Sequence, residues 1–300
     1  MRRALELDAN YALAWSGLAD AYSLTGIFGM IAPEDAGPQA REAAERAIAC
    51  APNLAESHAS LALVRFLFDW DFPAAEREFA RARELNPRYS QAAAWYYLVF
   101  AGYGCGRFQE AVDGLIETWE SDPRSAYRCC MISIASSTGL TDPRSVEWAA
   151  KALAIEPDGY LALWARLLGL STLRQWPDVI VAAQAALANS GRQIYPMGEL
   201  ATAYVAAGEH DKAVAVYEEL TSRSMREYIA PSILAIVAAQ IGERDQAVKW
   251  TLEARRRKDP GILNCGLGWV MAEPWRAMPE HQAVLREIGI PVLSSAAPRN

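Results

Sequence analysis

One segment of the chain, residues 194–258, contains almost the same pattern twice. Each copy has a leucine–alanine pair, then a glycine, then an alanine, and the two copies are separated by 34 positions. The matched positions are Leu200 and Ala201 with Leu234 and Ala235, Gly208 with Gly242, and Ala213 with Ala247. A fixed period in this range is typical of stacked repeat proteins, whose units bury an apolar face only against their neighbours. The pattern therefore predicts an array of units rather than one globular core.

A similar spacing continues through the less regular part of the chain. Pro87, Pro123 and Pro157 are separated by 36 and 34 positions, and apolar residues between them recur at steps of three and four, as on one face of a helix. The pattern predicts about seven two-helix units over residues 1–260, the first of them truncated before residue 1. One irregularity is expected at residues 27–38, where two prolines and two glycines predict an extended loop.

The repeat pattern ends near residue 260, where the composition changes. Residues 261–291 include Trp269, Trp275, Leu285 and Ile288, which suit the covering of an apolar surface. A terminal repeat needs such a cover because its outer face otherwise meets water. Residues 261–291 are therefore predicted to form a C-terminal capping segment, and residues 292–300 a disordered tail.

The small pair, aromatic, glycine and second small residue at these steps resemble the tetratricopeptide repeat, a helix-turn-helix unit. Residues 69–79 and 280–291 also resemble the carboxy-terminal repeat regions of large bacterial signalling and transcription-regulator proteins. The resemblance implies an all-α fold, a right-handed superhelix of stacked repeats whose concave wall is lined by the first helix of each unit. It also implies a protein or peptide partner and, in such proteins, an effector domain that precedes the repeats.

Composition and charge exclude several classes of function. The chain carries 29 basic and 36 acidic residues, a net charge of −7, so no electrostatic surface for direct nucleic-acid binding is expected. The longest weakly polar run, residues 228–242, is interrupted by Pro231 and Gln240 and is shorter than the ~20 residues of a membrane span. The N-terminus has two early acids and no long apolar core, unlike a secretory signal. These features predict a cytoplasmic protein and leave its oligomeric state open.

No group of residues in the sequence predicts catalysis, a metal site or a cofactor. The five cysteines include no pair with metal-ligand spacing, and the three histidines lie in separate units. The motifs of zinc proteases, phosphate-binding loops and serine hydrolases are missing. The glycines at 102, 104 and 106 are interpreted as a turn between helices, because no strand-like segment precedes them. The sequence therefore predicts a protein that is not an enzyme.

The partner-binding residues of such a superhelix are expected on its concave wall. The positions there that the repeat does not need for packing are Glu56, Phe66, Tyr96, Phe100, Tyr103, Tyr195 and Thr202. Aromatic residues are common anchors for peptides and partner helices. An aromatic residue at helical spacing is more often part of the core, and both interpretations stay open here.

The predicted function is a protein- or peptide-binding scaffold, the regulatory repeat region of a bacterial signalling or transcription-regulator protein. Repeats that hold chaperone tails carry a clamp of Lys, Arg and Asn for a terminal carboxylate. The matching positions here are Ser16, Asp20, Gly198, Ser232 and Ile236, so a carboxylate tail is disfavoured as the ligand. The alternative is a sensor domain that binds a small molecule or a short peptide inside the superhelix, which the ten tryptophans suggest.

Overall fold

Two kinds of helix alternate along the chain. The computed structural model describes residues 1–87, 89–138, 142–189, 193–263 and 268–292, and all regular structure within these ranges is helical. A short helix, α1 (Arg2–Leu7), precedes the alternating series. The first helices of the units are α2 (Ala12–Ile27), α4 (Ala55–Val64), α6 (Ser90–Ala94), α8 (Ala126–Ser137), α10 (Tyr160–Thr172), α12 (Ile194–Ala206) and α14 (Pro231–Gln240). The second helices are α3 (Pro33–Cys50), α5 (Phe72–Leu85), α7 (Phe108–Glu120), α9 (Arg144–Ile155), α11 (Trp176–Asn189), α13 (His210–Ser224) and α15 (Arg244–Arg256).

Each first helix packs against the second helix that follows it and against the next first helix. Thus α2 contacts α3 and α4, α8 contacts α9 and α10, and α12 contacts α13 and α14. The small residues of the repeat are buried, with at most 1% exposed in each of Ala19, Ala75, Ala111, Ala213 and Ala247. Their size lets neighbouring helices approach closely. The predictions of an all-α fold and of stacked helical repeats are confirmed.

The repeated glycine of the sixth and seventh units forms the turn between their two helices. Gly208 has φ +76° and Gly242 has φ +84°, a left-handed backbone that favours glycine. After the turn, the backbone N–H of Glu209 donates to the carbonyl of Tyr204 at 2.8 Å, which satisfies a carbonyl at the end of α12. No heavy atom lies within 4 Å of where a Cβ of either glycine would be. The backbone angle, and not packing, therefore requires glycine here.

Two first helices are widened by π-helical turns. Helix α4 continues into the π-helical segment Arg65–Asp69, and α6 continues into the segment Trp95–Gly104. A π-helical turn holds one residue more than an α-helical turn, so it adds residues to a unit with little added length. The proline spacing is 36 from Pro87 to Pro123, where the longer π-helical segment lies, and 34 from Pro123 to Pro157. The π-helical turns therefore accommodate the extra residues of this unit.

The prediction of an extended loop over residues 27–38 is wrong. Helix α3 begins at Pro33, a first helical position, where the N–H that proline lacks would have no partner within the helix. Pro38 lies inside the helix. The buried face of α3 consists of Pro33, Ala36, Gly37, Ala40, Ala43, Ala44 and Ala47. Burial of this stripe outweighs the local cost of Pro38, so the connection shrinks to residues 28–32.

This short connection reaches across to the far end of the array. The hydroxyl of Tyr195 in α12 donates to the carbonyl of Ile27 at 2.6 Å. The ring of Phe28 packs edge-to-face on Trp164 of α10, with ring centroids 5.7 Å apart. Gly29 lies so close to α12 that a Cβ there would be 2.5 Å from Cδ1 of Ile194. The first complete unit therefore contacts the fifth and sixth units, and the superhelix closes on itself.

Charged residues at the surface also join the end of α15 to the first two units. Arg257, at the end of α15, forms an ion pair with Glu34 of α3 at 2.6 Å. The ammonium group of Lys258 donates to the backbone oxygen of Asp69 at 3.3 Å and lies 5.6 Å from the ring centre of Trp70. Single exposed ion pairs contribute about 0–1 kcal/mol. The apolar contacts of residues 27–29 therefore provide most of the closing energy.

Because Gly29 lies tightly against α12, we expect Gly29→Ala to lower the free energy of unfolding by about 2 kcal/mol. Gly29 has φ +63°, and the new methyl group would also collide with Ile194. The matched control is Gly208→Ala, which is strained by its φ of +76° but collides with nothing and is expected to cost about 1 kcal/mol. Urea denaturation measures both. Equal losses would contradict a tight contact between Gly29 and α12.

Residues 268–292 lie against the last unit. They form a 3-10 turn (Val270–Ala272), helix α16 (Glu273–Arg276) and helix α17 (Pro279–Ile288), which packs on α15. The fully buried Trp275 donates from Nε1 to Oγ1 of Thr251 in α15 at 2.7 Å. These contacts suit a cap, while the domain boundaries at residues 260 and 291 stay a prediction. Apart from Val292, the predicted tail lies outside the described residues.

Three further features bear on the classes of function considered above. Within the described ranges, no helix is both long and apolar enough to cross a membrane. The same ranges contain no group of three or more His, Cys, Asp or Glu side chains that could hold a metal ion. Of the three glycines interpreted as a turn, Gly102 and Gly104 lie in the last part of the second π-helical segment, and only Gly106, with φ +68°, lies in the turn before α7.

Candidate partner-binding surface

Most of the residues predicted to contact a partner are buried. The exposed fraction is at most 8% for Phe66, Tyr96, Phe100, Tyr103 and Tyr195. The prediction that these side chains stand on an open wall is therefore corrected, because their rings pack within the core. Only Glu56 and Thr202 of the predicted set are partly exposed. A role of these positions in partner binding stays a prediction.

Three of the buried aromatics pack between the second and third units. The ring centroid of Phe66 lies 5.7 Å from that of Phe100, and Tyr96 lies 5.9 Å from Phe79. Arg83 covers this group from outside, with its guanidinium carbon 4.9 Å from the ring centre of Tyr96. Such edge-to-face and cation–π contacts add to the energy of burial. The aromatic residues of the third unit thus join neighbouring units.

The other two buried aromatics belong to a cluster in the interior of the superhelix. Trp269 lies at its centre, with ring-centroid distances of 5.3 Å to Tyr195, 5.4 Å to Trp164 and 6.2 Å to Tyr103. We call Tyr103, Trp164, Tyr195 and Trp269 the interior aromatic cluster. Its members come from the third, fifth and sixth units and from the C-terminal segment. The cluster therefore joins parts of the chain that are far apart in sequence.

The chain itself covers the inner side of α10, α12 and α14. The turn Val270–Ala272 contacts all three helices, and the side chain of Gln240 donates to the carbonyl of Met271 at 2.6 Å. The connection after α2 covers Ile194 and Ala230, which lie nearest to Gly29. Ten residues of α12 and eight of α14 are buried, which leaves these helices little free surface. An open peptide groove is therefore not present along these three helices.

The first helices of the earlier units carry a more polar and partly exposed surface. Asp20 of α2 accepts a hydrogen bond from Oγ of Ser60 in α4 at 2.6 Å. The hydroxyl of Tyr127 in α8 accepts one from Nε2 of Gln91 in α6 at 2.9 Å. We call Asp20, Glu56, Tyr89, Gln91 and Tyr127 the polar wall, and all five are partly exposed. The polar wall is a partly exposed surface on the side of first helices α2, α4, α6 and α8.

Within the described ranges, the carboxyl groups of the polar wall belong to no ion pair. Burial raises the pKa of Asp20 to about 7, and the hydrogen bond from Ser60 offsets this only in part. Burial and the negative charges of Asp20 and Glu56 also raise the pKa of the Tyr89 phenol. Neither carboxylate forms an ion pair with an Arg or Lys of the described ranges. The polar wall therefore combines two phenol rings with two carboxyl groups that form no ion pair within the described ranges, and one of these carboxyl groups, that of Asp20, has its pKa raised to about 7.

A third carboxyl group, that of Glu199 in α12, is completely buried. Its Oε2 accepts a hydrogen bond from Oγ of Ser171 at 2.6 Å, while its Oε1 has no hydrogen-bond partner within the described part of the chain. Burial raises the pKa of Glu199 to about 7, against the lowering effect of Ser171. The sequence analysis missed this residue. The one available signal was its place inside an otherwise apolar first helix.

Comparisons with known proteins agree with this architecture. No protein-family model matches the chain, and no curated protein matches it. A tetratricopeptide repeat protein from Parabacteroides merdae is similar over 92% of this chain and 98% of its own, with 10% identity and a TM-score of 0.57. PilW, a widely conserved type IV pilus biogenesis factor, is similar over 77% of this chain and 98% of its own, with 18% identity and a TM-score of 0.50. The fold is a tetratricopeptide repeat superhelix.

This tetratricopeptide repeat superhelix differs from an open one in how its inner side is used. In the fifth to seventh units the first helices are covered by residues 28–32 and 269–272 of the same chain. In the first four units the first helices present the polar wall, which solvent reaches. A partner that docks on first helices therefore meets the polar wall and not the buried aromatic residues.

Proposed function

We propose that the chain is a protein- or peptide-binding scaffold whose contact surface is the polar wall. We further propose that it serves as the regulatory repeat region of a cytoplasmic bacterial signalling or transcription-regulator protein. The tetratricopeptide repeat fold supports the first part, and the resemblance of residues 69–79 and 280–291 to such regulators supports the second. An in-frame effector domain in the DNA upstream of Met1 would support the regulatory role, and an upstream stop codon would contradict it.

The observation that carries the proposal is that Asp20 and Glu56, on a partly exposed surface, form no ion pair with an Arg or Lys of the described ranges. A carboxylate that is partly removed from water and lacks an ion-pair partner costs free energy, as the raised pKa of Asp20 indicates, and a Lys or Arg side chain of a binding partner would recover part of that cost. The rings of Tyr89 and Tyr127 add a surface over which such a cation is attracted. The polar wall is therefore suited to a basic segment of a protein partner.

A pair of charge-matched peptides tests this function. We expect a fluorescein-labelled peptide of alternating Ala and Lys to bind the full chain, and one of alternating Ala and Glu not to bind. Glu56→Lys is expected to lower the affinity for the Lys peptide at least about tenfold, because it places a like charge on the polar wall. Fluorescence anisotropy measures the affinities.

The matched control for this experiment is Glu218→Lys, which makes the same change in net charge at an exposed position of the second helix α13. It is expected to leave the affinity nearly unchanged. If both variants weaken binding equally, the peptide responds only to net charge and the polar wall is not the site. No binding of the Lys peptide by the unmodified chain would also contradict the proposal.

One observation favours the sensor function as a second candidate. Within the described residues, Nε1 of Trp164, Nε1 of Trp269 and Oε1 of Glu199 are buried without a hydrogen-bond partner. These atoms belong to the interior of the superhelix, where a small polar molecule or a short peptide would satisfy them. Tryptophan fluorescence titrated with metabolite and peptide pools tests this. A response that Trp164→Phe removes would support a sensor, and a flat response would count against it.

A further inference from the structure

A cleft opens between the second helices α5 and α7. Helix α6, the π-helical segment that follows it and the start of α8 also contribute to its lining. We call it the third-unit cleft and define it by Ala80, Arg83, Ala93, Tyr97, Glu117 and Arg128, all of which line it. Its volume of about 920 Å³ lies within the range of sites that hold a small molecule.

An aromatic ring of the third-unit cleft lies where a helix side chain would otherwise be. A Cβ at Gly114 of α7 would be 2.2 Å from Cζ of Tyr97, so the ring is in contact with the bare helix backbone. The sixth and seventh units carry Val216 and Trp250 at this position, three residues after the small alanine. Glycine is unfavourable inside a helix, and Gly114 is explained here by the room that it leaves for Tyr97. The ring is half-buried, so part of it is accessible in the cleft.

Two arginines of the third-unit cleft have N–H groups without an acceptor in the described part of the chain. The guanidinium carbon of Arg83 lies 5.7 Å from the ring centre of Tyr97, and no oxygen of the described residues accepts a hydrogen bond from this guanidinium. Arg128 donates from Nη1 to the carbonyl of Thr118 at 2.6 Å and to Oγ of Ser121 at 2.8 Å. Its Nε and Nη2 have no acceptor among the same residues. Both side chains therefore have donors to offer to a ligand in the cleft.

The carboxylates at the third-unit cleft do not neutralise these arginines. Glu84, which also lines the cleft, pairs with Arg81 at 3.1 Å, and Arg81 lies outside the lining. Glu117 is exposed and belongs to no ion pair of the described ranges. A similar cleft between α11 and α13 differs, because its one cation, Lys212, is already paired with Glu209. The third-unit cleft therefore keeps two unpaired guanidinium groups against one unpaired carboxylate, a balance that favours an anion.

We propose that the third-unit cleft binds a small aromatic carboxylic acid. The ring of the ligand packs on the ring of Tyr97, since two aromatic rings attract each other beyond their burial. The carboxylate of the ligand accepts hydrogen bonds from Arg83 and Arg128, because a planar guanidinium matches a carboxylate in both charge and geometry. The inference does not rest on the proposed function of the polar wall. The two surfaces share Tyr89, but the arginines belong to the cleft and Asp20 to the polar wall.

Isothermal titration calorimetry of the full chain with 2-naphthoate tests this site. We expect a dissociation constant below about 1 mM, as suits a ligand of this size. Succinate has carboxylates but no ring, and 2-naphthalenemethanol has the ring but no charge. Each is expected to bind at least about tenfold more weakly than 2-naphthoate, because it lacks one of the two contacts. The proposal is overturned if the chain does not bind 2-naphthoate, or if either of the other compounds binds as tightly.

Variants at exposed positions locate the site. Arg83→Gln is expected to lower the affinity for 2-naphthoate at least about tenfold, and Glu117→Gln to raise it about twofold, because the first removes an attraction and the second a repulsion. The matched control is Arg77→Gln, which makes the same change in net charge at an exposed position of α5 outside the lining and is expected to leave the affinity unchanged. All three positions are exposed, so circular dichroism is expected to show an unchanged fold. An unchanged affinity in Arg83→Gln, or equal losses in Arg83→Gln and Arg77→Gln, would overturn the proposal.

Discussion

Trp269→Ala is expected to lower the free energy of unfolding by about 3–5 kcal/mol, the largest single effect that we predict. Trp269 is 3% exposed and contacts three other rings of the interior aromatic cluster. Its removal leaves a cavity that the surrounding helices cannot fill, since they come from three units held by their own packing. Guanidinium denaturation followed by far-UV circular dichroism measures the loss without relying on tryptophan signals.

The control for this prediction is Trp176→Ala at the start of α11. Trp176 is only partly buried, packs at the edge of the core, and has the guanidinium carbon of Arg174 6.0 Å from its ring centre. We expect a loss of about 1 kcal/mol there. If Trp269→Ala costs no more than this control, the C-terminal segment does not fill the inner side of the superhelix. The inner side would then be available as the open groove that the sequence predicts.

Glu199→Gln is expected to raise the free energy of unfolding by about 3 kcal/mol at pH 8 and to change it little at pH 4. Burial holds the pKa of Glu199 at about 7, above the usual 4.5, so the folded chain binds a proton more tightly than the unfolded chain. That stabilisation is complete below pH 4.5 and is lost as the pH rises through 7. Glutamine cannot ionise, so the variant does not undergo this loss.

Denaturation at a series of pH values from 4 to 8 measures the difference between the two proteins. Asp20, with its pKa raised to about 7, contributes a loss in the same window to both proteins, so the comparison isolates Glu199. Glu218→Gln, at an exposed position of α13, is the control for the substitution itself and is expected to change the free energy of unfolding by less than about 0.5 kcal/mol. A constant difference between Glu199→Gln and the unmodified chain from pH 4 to 8 would contradict the burial of an ionisable carboxyl at this position.

The order of the helices could be predicted from the sequence because the interactions that form a repeat are local. The steps of three and four within each helix, the glycines at 208 and 242 and the proline spacing all act within one unit or between neighbours. Residues 27–38 are the exception. There the prolines suggest a loop, but an alanine stripe that packs into the stack makes most of the segment helical.

The candidate surface could be predicted less well from the sequence than the order of the helices. Glu56 is partly exposed as predicted, but Tyr103 and Tyr195 are buried beneath segments that lie far away in sequence. Glu199 is also buried, with its hydrogen-bond donor Ser171 on the neighbouring first helix α10, and its neighbours in the chain carry no sign of a buried acid. Side-chain exposure depends on everything packed over a residue, and periodicity describes only the face on which that residue stands.

The sequence by itself determined the unit, its period and the stacking order, because each unit can bury its apolar face only against the next one. The tertiary structure alone decided that the superhelix closes on itself. Contacts such as that of Tyr195 with Ile27 and that of Trp269 with Trp164 join residues from distant units. No local pattern encodes these pairs, because they form only after the accumulated rotation of several units brings both ends of the array together.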